Sequence, residues 1–175
     1  PKDVLFIFDK SGSMDGEKIE QAKGGLKFVV NKLKSEDRFN LVEFNSDANL
    51  LFEDSQPATP LNRDRADRFI AGLAADGGTE MQPALDLAMG LPPRDELRQI
   101  VFITDGSVGN EDELYAMIET RLGGARFFTV GIGSAPNSWF MRKAAELGRG
   151  TFVVISALHE VGEKMDRLFD KLGHP

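Results

Sequence analysis

Residues 4–8 read VLFIF, and the polar segment DKSGSM follows directly at residues 9–14. The five apolar residues do not alternate with polar ones and are all β-branched, aromatic or leucine. Such a run is typical of a strand that is buried on both faces of a parallel sheet. Three further runs share this character, at residues 100–103, 127–132 and 151–155. A fifth run, at residues 39–44, is interrupted by Asn40 and Glu43, so we expect it to be less fully buried.

Helical periodicity fills the stretches between these runs. Apolar residues recur at spacings of three and four over residues 19–33 and 158–172. Shorter patterns predict four more helices, at residues 62–73, 82–91 (stopped by Pro92-Pro93), 114–122 and from Asn137 or Ser138 onward. Strands that alternate with helices predict an α/β fold, doubly wound, with helices on both faces of a mostly parallel sheet. Residues 50–52 follow the second run too closely for a parallel crossover, so they predict an antiparallel edge strand and six strands in all.

Composition excludes several classes of protein. The chain has 175 residues, which is the size of one domain. It has no cysteine, and its histidines are His159 and His174 alone, so disulfide scaffolds, thiolate sites and multi-histidine metal sites are excluded. A net charge of −7 argues against nucleic acid and anionic membranes as partners, and no run approaches the roughly 18 apolar residues of a membrane span. Because the chain begins at Pro1, we interpret residues 1–175 as a single domain excised from a longer protein.

Oxygen-bearing side chains follow the predicted strands. In parallel α/β sheets, ligands bind beyond the carboxyl ends of the strands. Asp9, Ser11 and Ser13 follow the first strand, Asp105 follows the run at 100–103, and Thr79 lies in the loop that precedes a predicted helix. Two carboxylates and three hydroxyls favour a hard cation, Mg²⁺ above all, with Mn²⁺ and Ca²⁺ as competitors.

The charge of these donors suggests what the ion would bind next. If the hydroxyls bind directly and an aspartate acts through water, little negative charge touches the metal. The ion then stays electrophilic and attracts an anionic sixth ligand, such as a carboxylate of a partner. Gly12 and Gly78 are expected to allow the backbone conformations that bring the loops close to the ion.

The set Asp9-Lys10-Ser11-Gly12-Ser13, with Thr79 and Asp105 downstream, resembles the metal-ion-dependent adhesion site of von Willebrand factor A domains. Residues 8–14 and 37–41 are most similar to the heavy chains of inter-alpha-trypsin inhibitor. Residues 131–137 and 140–145 resemble bacterial relatives of that group, themselves similar to sortase-anchored surface proteins of marine proteobacteria.

The resemblance implies a Rossmann-like fold and a metal-dependent adhesion or ligand-binding module that is not an enzyme. Ser11, Ser13 and Thr79 match direct or switchable metal ligands, and Asp9 and Asp105 match carboxylates that bind directly or through water. The partner would be a protein or matrix ligand that offers a carboxylate. The location implied is extracellular, at the cell surface or in the envelope.

Two alternatives remain open. The chain could be a structural domain of an envelope protein, whose metal only stabilises the fold, or a metal-dependent hydrolase. Against enzymes, the strings G-x-S-x-G and G-x-x-x-x-G-K-[ST] are absent. An EF-hand loop from Asp105 would need glutamate at its twelfth position, where Ala116 stands.

Individual residues also have simpler interpretations. Asp9 and Ser11 suit a turn cap, Trp139 is expected to pack at a helix start, and His159 is expected on the surface. Lys10 is assigned no role.

Overall fold

A seven-stranded sheet forms the centre of the chain, for which the computed structural model describes residues 1–92, 94–107, 109–133 and 137–173. The strands are β1 (Asp3–Asp9), β2 (Arg38–Phe44), β3 (Ala48–Leu50), β4 (Gln56–Pro57), β5 (Arg98–Thr104), β6 (Arg126–Ile132) and β7 (Arg149–Ile155). Their order is β3-β2-β1-β5-β6-β7, and β4 also pairs with β2. All pairs are parallel except those that β3 and β4 make with β2. The predicted doubly wound, mostly parallel sheet is confirmed.

Six helices in the described ranges connect or follow these strands. They are α1 (Glu17–Lys32), α2 (Pro60–Ala71), α3 (Met81–Met89), α4 (Glu111–Arg121), α5 (Ser138–Leu147) and α6 (Val161–Gly173). Each lies where periodicity predicted a helix. The last begins three residues late because Leu158–Glu160 form a 3-10 turn. Helix α3 ends at Met89, capped by Gly90, before the prolines expected to stop it.

Alternate residues of β1 serve two separate cores. Val4, Phe6 and Phe8 join a cluster with residues of α1, α2 and α6. Leu5 and Ile7 join a second cluster with residues of α3, α4 and α5 on the opposite face. Because both faces of β1 are covered, every residue of this strand is buried, and its end is held in one place.

Two strands differ from their expected burial. We expected the run at residues 39–44 to be less buried, yet β2 is buried throughout except for its first residue. We expected residues 151–155 to be buried on both faces, yet only Ile155 is fully buried. The reason is strand order: β7 lies at one end of the sheet, whereas β2 is covered by β3 and β4.

Asn40 explains how a polar residue fits inside β2. Its side-chain amide donates to the Phe52 carbonyl at 2.9 Å, and its side-chain oxygen accepts the Phe52 N–H at 3.0 Å. These bonds fasten the chain as it returns along β2 after β3. The return then continues as the two-residue strand β4, so the sheet has seven strands instead of six.

The predictions for Trp139 and His159 had different outcomes. Trp139 was expected to pack at the start of a helix, but 72% of it is exposed. The buried face of α5 begins one residue later, and Trp139 is turned away from it; that face consists of Phe140, Met141, Ala144 and Ala145. His159 is exposed, as predicted, and His174 lies outside the described residues. Across the described ranges, the helices are too short or too polar to cross a membrane.

Replacing Asn40 with alanine is expected to lower the free energy of unfolding by about 2–4 kcal/mol, because two buried backbone groups of Phe52 lose their partner. Urea denaturation measures the change. Asn31→Ala is the control, since Asn31 is exposed on α1, and should change stability by less than about 0.5 kcal/mol. Equal effects of the two substitutions would contradict this role.

Candidate metal centre

The site is built where β1 and β5 end side by side. Phe8 lies opposite Ile103 in the parallel register, so Asp9 emerges beside Thr104. The Thr104 hydroxyl donates to Asp9 Oδ2 at 2.6 Å, and it accepts the N–H of Gly106 at 3.2 Å. One threonine therefore joins the ends of both strands to the loop that carries Asp105.

The loop after β1 brings two hydroxyls together. Asp9 Oδ1 accepts the N–H of Ser11 at 2.8 Å, which turns the chain back on itself. The Oγ atoms of Ser11 and Ser13 are 3.2 Å apart. Ser11 precedes the 3-10 turn Gly12–Met14 but makes no capping bond with its side chain. The turn-cap interpretation thus accounts for Asp9, and it does not account for the Ser11 hydroxyl.

The loop that carries Thr79 is joined to this turn through the backbone. Asp76 N donates to Lys10 O, and Gly12 N donates to Gly77 O, both at 2.9 Å. A Cβ at Gly12 would lie 3.3 Å from Gly77 O, so glycine allows this close approach. The close approach expected at Gly12 is therefore present, and the neighbouring Gly77 adopts the left-handed conformation, with φ of 80°.

Asn45 fixes the loop on either side of Thr79. Its side-chain amide donates to Asp76 O at 3.0 Å, and its carbonyl accepts the N–H of Glu80 at 2.8 Å. Thr79 is half-buried between these two anchors. The structure therefore unites Asp9, Ser11 and Ser13 through hydrogen bonds, and it joins the loop that carries Thr79 to the same turn.

The two carboxylates of the site are buried. Asp9 is 0% exposed and Asp105 is 4% exposed. Burial raises the pKa of Asp9, and the nearby charge of Asp105 raises it further, whereas the bonds from Ser11 and Thr104 lower it. A cation beside Asp9 would favour its ionised form.

A lysine also reaches the site. Lys18, in the first turn of α1, places Nζ 3.1 Å from Asp105 Oδ2 and 3.4 Å from Ser13 O. The other oxygen of Asp105 accepts the N–H of Ser107 at 2.9 Å. Lys10 forms an ion pair with buried Glu43 at 2.5 Å, which gives it the structural role that the sequence did not reveal.

Sequence reasoning did not single out Thr104 or Lys18 as part of the site. Thr104 carried a signal, because it is the last residue of a strand directly before a candidate ligand. Lys18 carried no local signal, since its approach depends on how α1 packs against the sheet.

The donor set fits a hard divalent cation. Adjacent oxygens around octahedral Mg²⁺, bound at 2.0–2.1 Å, lie about 3 Å apart, and the two serine hydroxyls are separated by 3.2 Å. Groups of three or more His, Cys, Asp or Glu that could hold a metal are absent from the described residues. A cation here would therefore depend on the hydroxyls as well as on Asp9 and Asp105.

The family model of the von Willebrand factor type A domain matches residues 2–154. The chain belongs to this family. It is 30% identical over 168 residues to a von Willebrand factor A domain-containing protein of Dictyostelium discoideum, with 95% of this chain and 18% of that protein covered. It is 32% identical over 159 residues to inter-alpha-trypsin inhibitor heavy chain H4 of Homo sapiens, with 83% and 17% covered. The chain thus spans less than a fifth of either relative.

Solved structures of other proteins share the fold. A von Willebrand factor type A protein from Catenulispora acidiphila superposes with a TM-score of 0.88 at 24% identity, covering 98% of this chain and 42% of that one. Proximal thread matrix protein 1 from the mussel byssus is described with a zinc-occupied MIDAS motif. It superposes with a TM-score of 0.74 at 17% identity, covering 98% of this chain and 48% of that one. The resemblance to this family and to the heavy chains is confirmed. The likeness to marine bacterial surface proteins stays a prediction.

Thr104→Val keeps the shape of the side chain and removes the donor to Asp9. We expect it to lower the free energy of unfolding by about 1.5–3 kcal/mol, because the bond is buried and its acceptor is charged. The lost bond also raises the pKa of Asp9 further. Urea denaturation compares it with Thr120→Val on the exposed face of α4, expected to change stability by less than about 0.5 kcal/mol. An unchanged stability in Thr104→Val would refute this role.

Proposed function

We propose that this domain binds a divalent cation, Mg²⁺ with Mn²⁺ or Ca²⁺ as competitors, through Asp9, Ser11, Ser13, Thr79 and Asp105. The observation that carries the proposal is the pair of serine hydroxyls, 3.2 Å apart, next to the buried carboxylate of Asp9. Membership of the von Willebrand factor A family supports it, as does the zinc described in the mussel protein of the same fold.

The site has a buried side and a solvent side. Asp9 and Ser11 are buried, whereas Ser13, Gly77 and Gly78 are exposed. A cation held here would therefore face solvent across these exposed residues. An acidic group of a protein or matrix partner would complete its coordination from that side, which makes the domain a metal-dependent adhesion or ligand-binding module.

Binding is favoured over catalysis because both buried carboxylates are assigned to the cation and are also hydrogen-bonded. Asp9 accepts bonds from Ser11 and Thr104, and Asp105 accepts bonds from Ser107 and Lys18. Neither is left as a general base beside the ion. From the family resemblance, we also propose an extracellular or envelope location within a longer protein.

Calorimetric titration of chelator-treated protein with Mg²⁺ and Mn²⁺ is expected to show one saturable site. Partners outside the first coordination shell already contribute about 10- to 100-fold in affinity, so loss of a ligand should cost at least as much. Asp9→Ala should abolish binding. Ser13→Ala, at an exposed position that folding tolerates, should weaken it at least about tenfold.

The matched control for these variants is Asp15→Ala, which removes an exposed carboxylate two residues after Ser13. It should change the affinity less than about twofold, because water and salt screen an exposed charge. No saturable binding in the wild type, or equal loss in Asp15→Ala and Ser13→Ala, would contradict the assignment.

A carboxylate should bind to the metal-loaded site. We expect the Mg²⁺ affinity to rise when sodium acetate replaces sodium chloride at the same ionic strength, because acetate supplies the anionic ligand. Titrations in the two salts measure the ratio of affinities. A ratio of one would indicate that the ion only stabilises the fold.

A further inference from the structure

The Lys18 side chain is guided to the site by the surface beneath it. Its stem passes over Gly133, where a Cβ would lie 3.1 Å from Lys18 Cε and 3.7 Å from Cδ and Cγ. Gly133 directly follows β6 and has φ of 105°, a conformation that side-chain-bearing residues rarely adopt. The glycine therefore leaves a track along which the lysine extends from α1 to Asp105.

The ammonium group of Lys18 forms an ion pair inside the donor set. Nζ lies 3.1 Å from Asp105 Oδ2, and the Asp105 side chain is 2% exposed while that of Lys18 is 40% exposed. Nζ also lies 3.4 Å from the carbonyl of Ser13. The lysine, which extends from α1, and a divalent cation held at the loops would thus be attracted to the same carboxylate, that of Asp105.

Counting charges shows what this pair does to the site. Asp9 and Asp105 contribute two negative charges and Lys18 contributes one positive charge, which leaves a net charge of −1 before any metal binds. A divalent ion would bring the total to one positive charge, which a single carboxylate would neutralise. Asp15, Glu17 and Asp76 are exposed and screened by water, and Lys10 is neutralised by Glu43, so these groups leave the balance unchanged.

We propose that Lys18 is an affinity-setting residue of the metal site, which rests on the function proposed above. Its charge weakens the binding of the cation alone and leaves the loaded site cationic. A metal-loaded site with net positive charge binds an acidic ligand more tightly than a metal-loaded site with no net charge would. Lys18 therefore couples metal binding to partner binding, so that metal and carboxylate are held together.

Lys18→Gln tests the first half of this proposal. Removing a positive charge near the ion should raise the Mg²⁺ and Mn²⁺ affinity about tenfold in calorimetric titration. The control is Lys27→Gln, the same change at an exposed position on the same helix. Lys27 is nine residues after Lys18, which is about 13 Å further along the helix axis. This distance exceeds the Debye length of about 8 Å, so Lys27→Gln should change the metal affinity by less than about twofold.

The second half concerns coupling to a carboxylate. The rise in Mg²⁺ affinity on replacing chloride with acetate, at constant ionic strength, should be smaller in Lys18→Gln than in wild type and Lys27→Gln. Lys18→Arg keeps the charge and should retain the wild-type ratio. A purely structural ion pair would lower the stability of Lys18→Gln in chelator without moving either metal affinity or this ratio.

The outcomes separate the two proposals. If the wild type binds no metal, the proposed function fails, and this inference fails with it. If the wild type binds metal but Lys18→Gln matches Lys27→Gln in affinity, or binds more weakly, only the role of Lys18 is overturned. An acetate ratio unchanged in Lys18→Gln overturns the coupling. Urea denaturation of each variant in chelator and in Mg²⁺ establishes that the compared proteins are folded.

Discussion

The hydrogen bond from Thr104 to Asp9 joins two neighbouring strands at the point where the rest of the site begins. It exists because β1 and β5 run parallel, with Phe8 opposite Ile103, so the last residues of the two strands lie side by side. Asp9 is fully buried there, and burial without partners would favour its neutral form. The bonds from Thr104 and Ser11 offset part of that cost, since they lower the pKa of Asp9 while burial raises it more.

The loops depend on this anchor because they are held to one another by backbone bonds. Gly12 donates to Gly77, and Asp76 donates to Lys10, so the turn after β1 and the segment before α3 behave as one surface. Backbone bonds tolerate many side chains but demand close approach, which is why glycine stands at the contact. This contact and Asn45 fix the backbone of the loop that carries Thr79.

Ion pairs in the described residues differ in how deeply they are buried. The pair of Arg68 with Asp64 has both side chains more than 60% exposed, so it contributes little to stability. The pair of Lys18 with Asp105 has one side chain almost wholly buried, where removal of a partner leaves a carboxylate without compensation. A cation bound as proposed would therefore meet a lysine that is already paired with Asp105.

Local pattern by itself determined the mostly parallel sheet, except for the short strand β4, and its helices, and it singled out the oxygen donors of the proposed site. Unbroken apolar runs mark strands such as β1, and oxygen donors directly after them mark the loops, because both signals depend only on neighbouring residues. Tertiary structure decided the burial of β2 and the exposure of β7, since these depend on strand order. It also decided the placement of Thr104, Gly77 and Lys18. Each acts on a group from a distant part of the chain, and such approach is set by the packing of helices and strands, which no short stretch of sequence records.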